Sequence, residues 1–136
     1  MKVYVLDASV VLTFLLGKNS SVEKNFIKFL NQAKTGRVKL FSSYLLPLEV
    51  GNGLRYSLED EKLAIEVLEK FLKLPIEFFG FSEVHYIKIL NLSYQFGTSF
   101  YDTSYHFLAK LLKGVFLTAD KDYFKKARGF GCIKLL

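Results

Sequence analysis

The sequence predicts an α/β fold: a three-layer α/β/α sandwich built on a parallel sheet of four to five strands. Two observations carry this. Apolar runs of strand length, rich in β-branched and aromatic residues, alternate with longer segments of helical period, which is the pattern of a parallel sheet covered on both faces. No linker, repeat or low-complexity tract interrupts the 136 residues, and 51% of them are hydrophobic against 24% charged. The chain therefore reads as one domain, residues 1–136, with enough apolar material for a real core.

The elements follow in order. Lys2 to Leu6 is the first strand, ending at Asp7 and passing straight into a short helix. A capping box at Ser20-Ser21-Val22-Glu23 starts the second helix, with Val22, Phe26, Phe29, Leu30 and Ala33 on one face and Thr35-Gly36 as its stop. Val38 to Phe41 is the second strand, and a helix follows from about Tyr44. Pro47 implies that this helix starts late or bends. Gly51 and Gly53 each cost a helix interior about 0.5–1 kcal/mol relative to alanine. The next helix begins near Asp60 with Leu63, Val67, Leu68, Phe71 and Leu72 facing inward, and Pro75 ends it. Ile76 to Phe79 is the third strand. Ser82 caps a helix running to about Phe96, with Gly97 past its end. Thr98 or Ser99 caps the next, which reaches Leu112 and is closed by Gly114. Val115 to Thr118 is the fourth strand; a short basic helix and a fifth strand, Cys132 to Leu135, complete the chain.

Composition excludes several function classes. The lone Cys132 allows no internal disulfide, and His85 and His106 stand apart without cysteine company, so no zinc site is expected. Both histidines read as surface or half-buried. The opening apolar run is too short for a membrane span and carries Asp7 near its centre; no small-residue cleavage pattern closes it. A cytoplasmic protein without membrane attachment is expected. The net charge of +6 is concentrated in residues 110–136, where Lys110, Lys113, Lys121, Lys125, Lys126, Arg128 and Lys134 stand against Asp120 and Asp122. Such an end suits a polyanion such as nucleic acid, although lysines on a terminal helix are ordinarily a solvated face. Tyr44, Tyr56, Tyr101 and Tyr105 offer rings on which unpaired bases stack, but aromatics at helical spacing read first as core.

Four carboxylates do not look like surface. Asp7 is the only charge between Val3 and Leu16 and follows the first strand. Glu49 lies in the apolar stretch LLPLEVGNGL, with Asn52 one turn later on the same face. Asp102 opens an aromatic helix, and Asp120 follows the fourth strand. Each has an ordinary reading: Asp7 and Asp120 as helix caps, Asp102 in a capping box with Ser99, Glu49 paired to Arg55 or facing water. Taken together, two of them end strands of one sheet. If the first and fourth strands are neighbours, the crevice at that switch point is the expected binding site. Carboxylates gathered in one crevice raise one another's pKa unless a cation compensates, and an all-oxygen ligand set suits Mg²⁺ or Mn²⁺. That points to metal-dependent phosphoryl transfer or phosphodiester hydrolysis. Asp122, two residues past Asp120 on a helix, is expected to point elsewhere.

DASV at 7–10, EVGNGLR at 49–55, YDTSYHFLA at 101–109 and TADKDYF at 118–124 resemble the four motifs of PIN-domain ribonucleases. Within that group the size of the chain is most similar to the VapC toxins of prokaryotic toxin–antitoxin pairs. The resemblance implies that the first strand lies beside the fourth and that Asp7, Glu49, Asp102 and Asp120 form an acidic metal site. Ser9, Asn52 and Thr118 match polar positions that support such sites. It further implies an RNA substrate and an antitoxin protein whose C-terminal segment plugs the site with arginine. Leu12, Phe14, Leu15, Leu45 and Leu46, more apolar surface than a small core needs, would meet that antitoxin or form a homodimer. Two alternatives stand beside this: a nucleic-acid-binding module with an inactive site, and a small-molecule phosphatase. Aspartyl phosphatases usually carry a second Asp where this chain has Ser9.

Overall fold

The computed structural model describes residues 1–136. Its strands are β1 (Lys2–Leu6), β2 (Val38–Ser43), β3 (Ile76–Phe79), β4 (Val115–Thr118) and β5 (Ile133–Leu135). They form one parallel sheet in the order β3-β2-β1-β4-β5. The helices are α1 (Ala8–Leu15), α2 (Ser20–Lys34), α3 (Leu45–Ser57), α4 (Glu61–Leu72), α5 (Glu83–Phe96), α6 (Phe100–Leu111) and α7 (Lys121–Ala127), with a short 3₁₀ turn at Arg128–Phe130.

The strand order decides the layers. Crossovers from β1 to β2 and from β2 to β3 step one way along the sheet; those from β3 to β4 and from β4 to β5 step the other way. Right-handed crossovers therefore send α1 to α4 to one face and α5 to α7 to the opposite one. The reversal falls between β1 and β4, as the switch-point argument requires.

Val5 and Leu6 of β1 and Phe116 and Leu117 of β4 are fully buried at the centre of the core. Helix α6 is buried continuously from Thr103 to Ala109, because it lies across β1, β2 and β4 and is covered by α5. That corrects His106, which is fully buried rather than at the surface.

Other readings change in detail. The second helix is capped by Asn19, whose side chain accepts from the Ser21 and Val22 N–H groups, so no Ser20 capping box forms. Helix α3 begins at Leu45 and takes Pro47 into its first turn, where a missing N–H costs nothing. Gly53 is the point of closest approach to α1: a Cβ there would lie 2.5 Å from Leu12 Cδ1. On α4, Phe71 is buried but Leu63 and Leu72 are exposed. Of the residues expected to supply apolar surface, Leu46 is fully buried, whereas Leu12, Phe14, Leu15 and Leu45 pack against the core and stay half-buried. Tyr105 is core; Tyr44, Tyr56 and Tyr101 are exposed.

Candidate functional site

All five strands are parallel, so their carboxyl ends share one edge of the sheet, and the site grows from the adjacent ends of β1 and β4. Asp7 is both cap and candidate. It is the N-cap of α1, with Oδ1 accepting from the Val10 N–H (3.0 Å) and the Ser9 hydroxyl (2.6 Å). Its Oδ2 accepts from the Thr118 hydroxyl at 2.6 Å, across from β4. Ser9 Oγ in turn accepts the Ala119 N–H, and Thr118 Oγ1 the Asp120 N–H. The two hydroxyls thus tie the end of β1 to the end of β4 and fix the Asp7 carboxylate in one orientation.

Asp120 is the N-cap of α7 and accepts from the Tyr123 N–H at 3.0 Å. Asp102 stands in the first turn of α6, where its own N–H donates to Ser99 Oγ at 3.0 Å. Its carboxylate makes no bond to the Ser99 N–H, so only half a capping box forms, and it lines the hollow beside Asp120. Glu49, on α3, neither pairs with Arg55 nor floats in water. Its Oε1 accepts from the Tyr105 hydroxyl at 2.5 Å. Asn52 is exposed and makes no side-chain hydrogen bond. A hollow of about 100 Å³ is lined by Thr98, Ser99, Asp102, Asp120, Asp122 and Lys126. Asp122 therefore belongs to the rim, contrary to expectation, and Lys126 pairs with it at 3.2 Å.

Burial pushes the Asp7 carboxyl up to about 6; the Ser9 and Thr118 hydroxyls and the Val10 N–H act against that, and the Asp102 charge adds to it. Burial also raises Glu49 and Asp102, opposed by Tyr105 and Ser99 respectively; the charge of Asp102 adds to the first shift and that of Asp120 to the second. Tyr105 is driven upward by burial and by its bond to Glu49, so it stays a donor.

None of the four acids has a cation within salt-bridge reach; the one ion pair of the chain is Lys126 with Asp122. The donor set is all oxygen, which fits a hard divalent cation. The fit is in chemistry more than in closed geometry, since no three of these side chains converge tightly enough to grip an ion as they stand. Uncompensated like charges repel, and Asp7 and Glu49 are each turned toward a hydroxyl instead.

Two residues have roles the sequence reading did not give them. Tyr105 lies three positions after Asp102, on the same helical face, and that spacing was the available signal. His106 donates from Nε2 to the Gly131 carbonyl (2.7 Å), which leaves Nδ1 to accept from the Tyr123 hydroxyl (2.8 Å). It braces α6 against α7, the two helices that carry Asp102 and Asp120.

Compared with known protein families, residues 4–129 match the PIN domain. Among solved structures the chain is similar to PAE2754 from Pyrobaculum aerophilum, with a TM-score of 0.68 at 22% identity over 94% of this chain and 88% of that one. It is also similar to VapBC2 from Rickettsia felis bound to a DNA fragment from its promoter (TM-score 0.68, 19% identity, 91% and 92% of the two chains). VapBC-1 from nontypeable Haemophilus influenzae gives a TM-score of 0.65 at 16% identity over 98% and 97%. At these identities the likeness is one of fold. No curated protein matches the chain in sequence.

Proposed function

This chain belongs to the PIN-domain family, and from that premise we propose that it is an Mg²⁺- or Mn²⁺-dependent endoribonuclease and the toxin half of a toxin–antitoxin pair. The observation that carries the proposal is the set of Asp7, Glu49, Asp102 and Asp120 at one edge of the sheet without a cationic partner. In this reading those four side chains hold the metal. What such an ion supplies when bound is polarisation of a phosphodiester oxygen and activation of a water for in-line displacement.

The protein's own part is orientation and electrostatics. Ser9 and Thr118 hold Asp7 still, and Tyr105 sets the direction of Glu49. Helix α7, which Asp120 caps, carries exposed Lys121, Lys125 and Lys126, followed by exposed Arg128. These side chains suit the phosphates of a strand drawn across the acids. No helix is long and apolar enough to cross a membrane, and cytoplasmic RNA is the substrate we propose. The likeness in fold to two VapBC proteins supports an antitoxin partner; an arginine of that partner is the side chain we propose for plugging the acids, and a toxin homodimer is part of the same proposal.

The test is incubation with RNA, single-stranded DNA and a phosphomonoester, with and without Mn²⁺. Cleavage of RNA only with metal, lost in Asp7→Asn and Asp102→Asn, is the expected result. RNA bound but never cut would leave a binding module, and phosphate released from the monoester would indicate a phosphatase.

A further inference from the structure

Beside the acids, on the same edge of the sheet, lies a cleft of about 350 Å³ at the ends of β2 and β3. Tyr44, Leu48, Phe79, Tyr86, Phe100 and Tyr101 form most of its wall. We propose that this cleft is a nucleobase subsite, in which an unpaired base of the RNA lies against the tyrosines while the phosphate beside it reaches the acids. The proposal rests on the ribonuclease reading and names where that substrate is held.

Three observations carry it. The first is continuity: Leu48 is followed by Glu49 and Tyr101 by Asp102, so α3 and α6 each contribute adjacent residues to the cleft and to the acidic set. Strand β2 is also the direct neighbour of β1, one interstrand spacing of about 4.8 Å away. The second is charge. None of the residues lining the cleft is ionisable to a charged form at neutral pH, so it suits the uncharged base and not the phosphate. The third is the state of the rings. Tyr44 is 65% exposed and Tyr101 58%, yet Tyr44 rests on Phe78 with centroids 5.8 Å apart. Tyr86 is stacked on Phe100 at 6.3 Å and 23°. These are supported platforms with free surface, the arrangement on which single-stranded nucleic acids stack.

The test reads binding, not hydrolysis. A labelled single-stranded hexaribonucleotide is titrated by fluorescence anisotropy at low salt in EDTA, together with a series in which each position in turn is abasic. Tyr44→Ala and Tyr101→Ala should each weaken binding roughly tenfold. Tyr101→Phe, which keeps the ring, should stay within about twofold. One abasic position should weaken the wild type by a similar factor and add nothing to the alanine variant. Equal binding of all the abasic oligonucleotides overturns the subsite. So does wild-type RNA affinity in both alanine variants, including the case in which they lose a protein partner instead. Because no metal is present, a protein that never cuts RNA refutes the proposed activity alone, whereas intact cleavage without base dependence refutes the subsite alone.

Discussion

Replacing Asp7 by asparagine should stabilise the metal-free protein at neutral pH and cease to do so in acid. Asp7 is 4% exposed and its carboxyl is pushed from 3.8 up to about 6. A raised carboxyl pKa means that the fold prefers the neutral form. That preference is fully present below pH 3.8 and is lost as pH rises through about 6. At pH 7.5 the ionised group therefore costs the fold about 3 kcal/mol, and at pH 4 only about 0.5 kcal/mol. Asparagine removes the charge but spoils one bond, because the Thr118 hydroxyl now faces an amide in place of Oδ2; that costs about 1–2 kcal/mol at any pH. The variant should thus exceed the wild type by about 1–2 kcal/mol at pH 7.5 and fall below it by about 1 kcal/mol at pH 4. His106, whose pKa burial lowers, destabilises both proteins as pH falls below 6.5, and it cancels in the difference. The assay is urea or thermal denaturation of both proteins in EDTA across this range, where the swing amounts to roughly 6–10 °C in midpoint. Added Mn²⁺ should raise the wild type and leave the variant nearly unmoved. A stability difference that stays flat with pH would refute the claim that Asp7 is a desolvated charge lacking its cation.

Tyr105→Phe should keep the stacked core but release Glu49, costing about 1 kcal/mol of stability, with a larger fall in kcat than in substrate affinity by steady-state kinetics. Gly51→Ala meets no neighbour and should stabilise α3 by about 0.5–1 kcal/mol in urea unfolding. Gly53→Ala should destabilise by displacing Leu12, and Leu12→Ala should make that second substitution neutral in a double-mutant cycle. His106→Ala removes a buried ring and orphans the Tyr123 hydroxyl, so a loss of about 3 kcal/mol or more is expected by calorimetry. An arginine-bearing antitoxin peptide should bind more weakly as Mn²⁺ rises in titration calorimetry; affinity unaffected by the metal would mean that it covers the RNA path and leaves the carboxylates untouched.

What could be read in advance follows from where local chemistry decides. β1, β3 and β4 are short, largely apolar runs marked off by Asp7, by Pro75 and Gly80, and by Gly114, and they appear with the expected limits. The four acids share an edge because each ends a strand or stands in the opening turns of a helix, positions that turn chemistry marks in the sequence. Solvent exposure was less legible. Leu63 and Leu72 obey the helical period of α4, but that helix rests mainly on α3, which is too narrow to cover both. Tyr105 is core as its helical spacing suggested, but His106 beside it is buried too, between the sheet and α5, and spacing carries no trace of that second covering layer. On α1 and α3 the expected residues Leu12, Phe14, Leu15 and Leu45 are half-buried, while Leu48 and Tyr56 of α3 are exposed. Further exposed apolar side chains lie on α4, at Leu63, Ile65 and Leu72, on α5, at Val84, Ile87 and Tyr94, and around the aromatic cleft.

The bond from Thr118 to Asp7 spans 111 residues of chain, and this separation sets an order of events during synthesis. A ribosome releases Asp7, Glu49 and the central strand first, while the partner strand and Asp120 do not yet exist. At the usual elongation rates of about 5–20 residues per second, roughly 6–20 s pass between Asp7 and its partner Thr118. Through that interval the nascent chain holds only one side of its acidic centre.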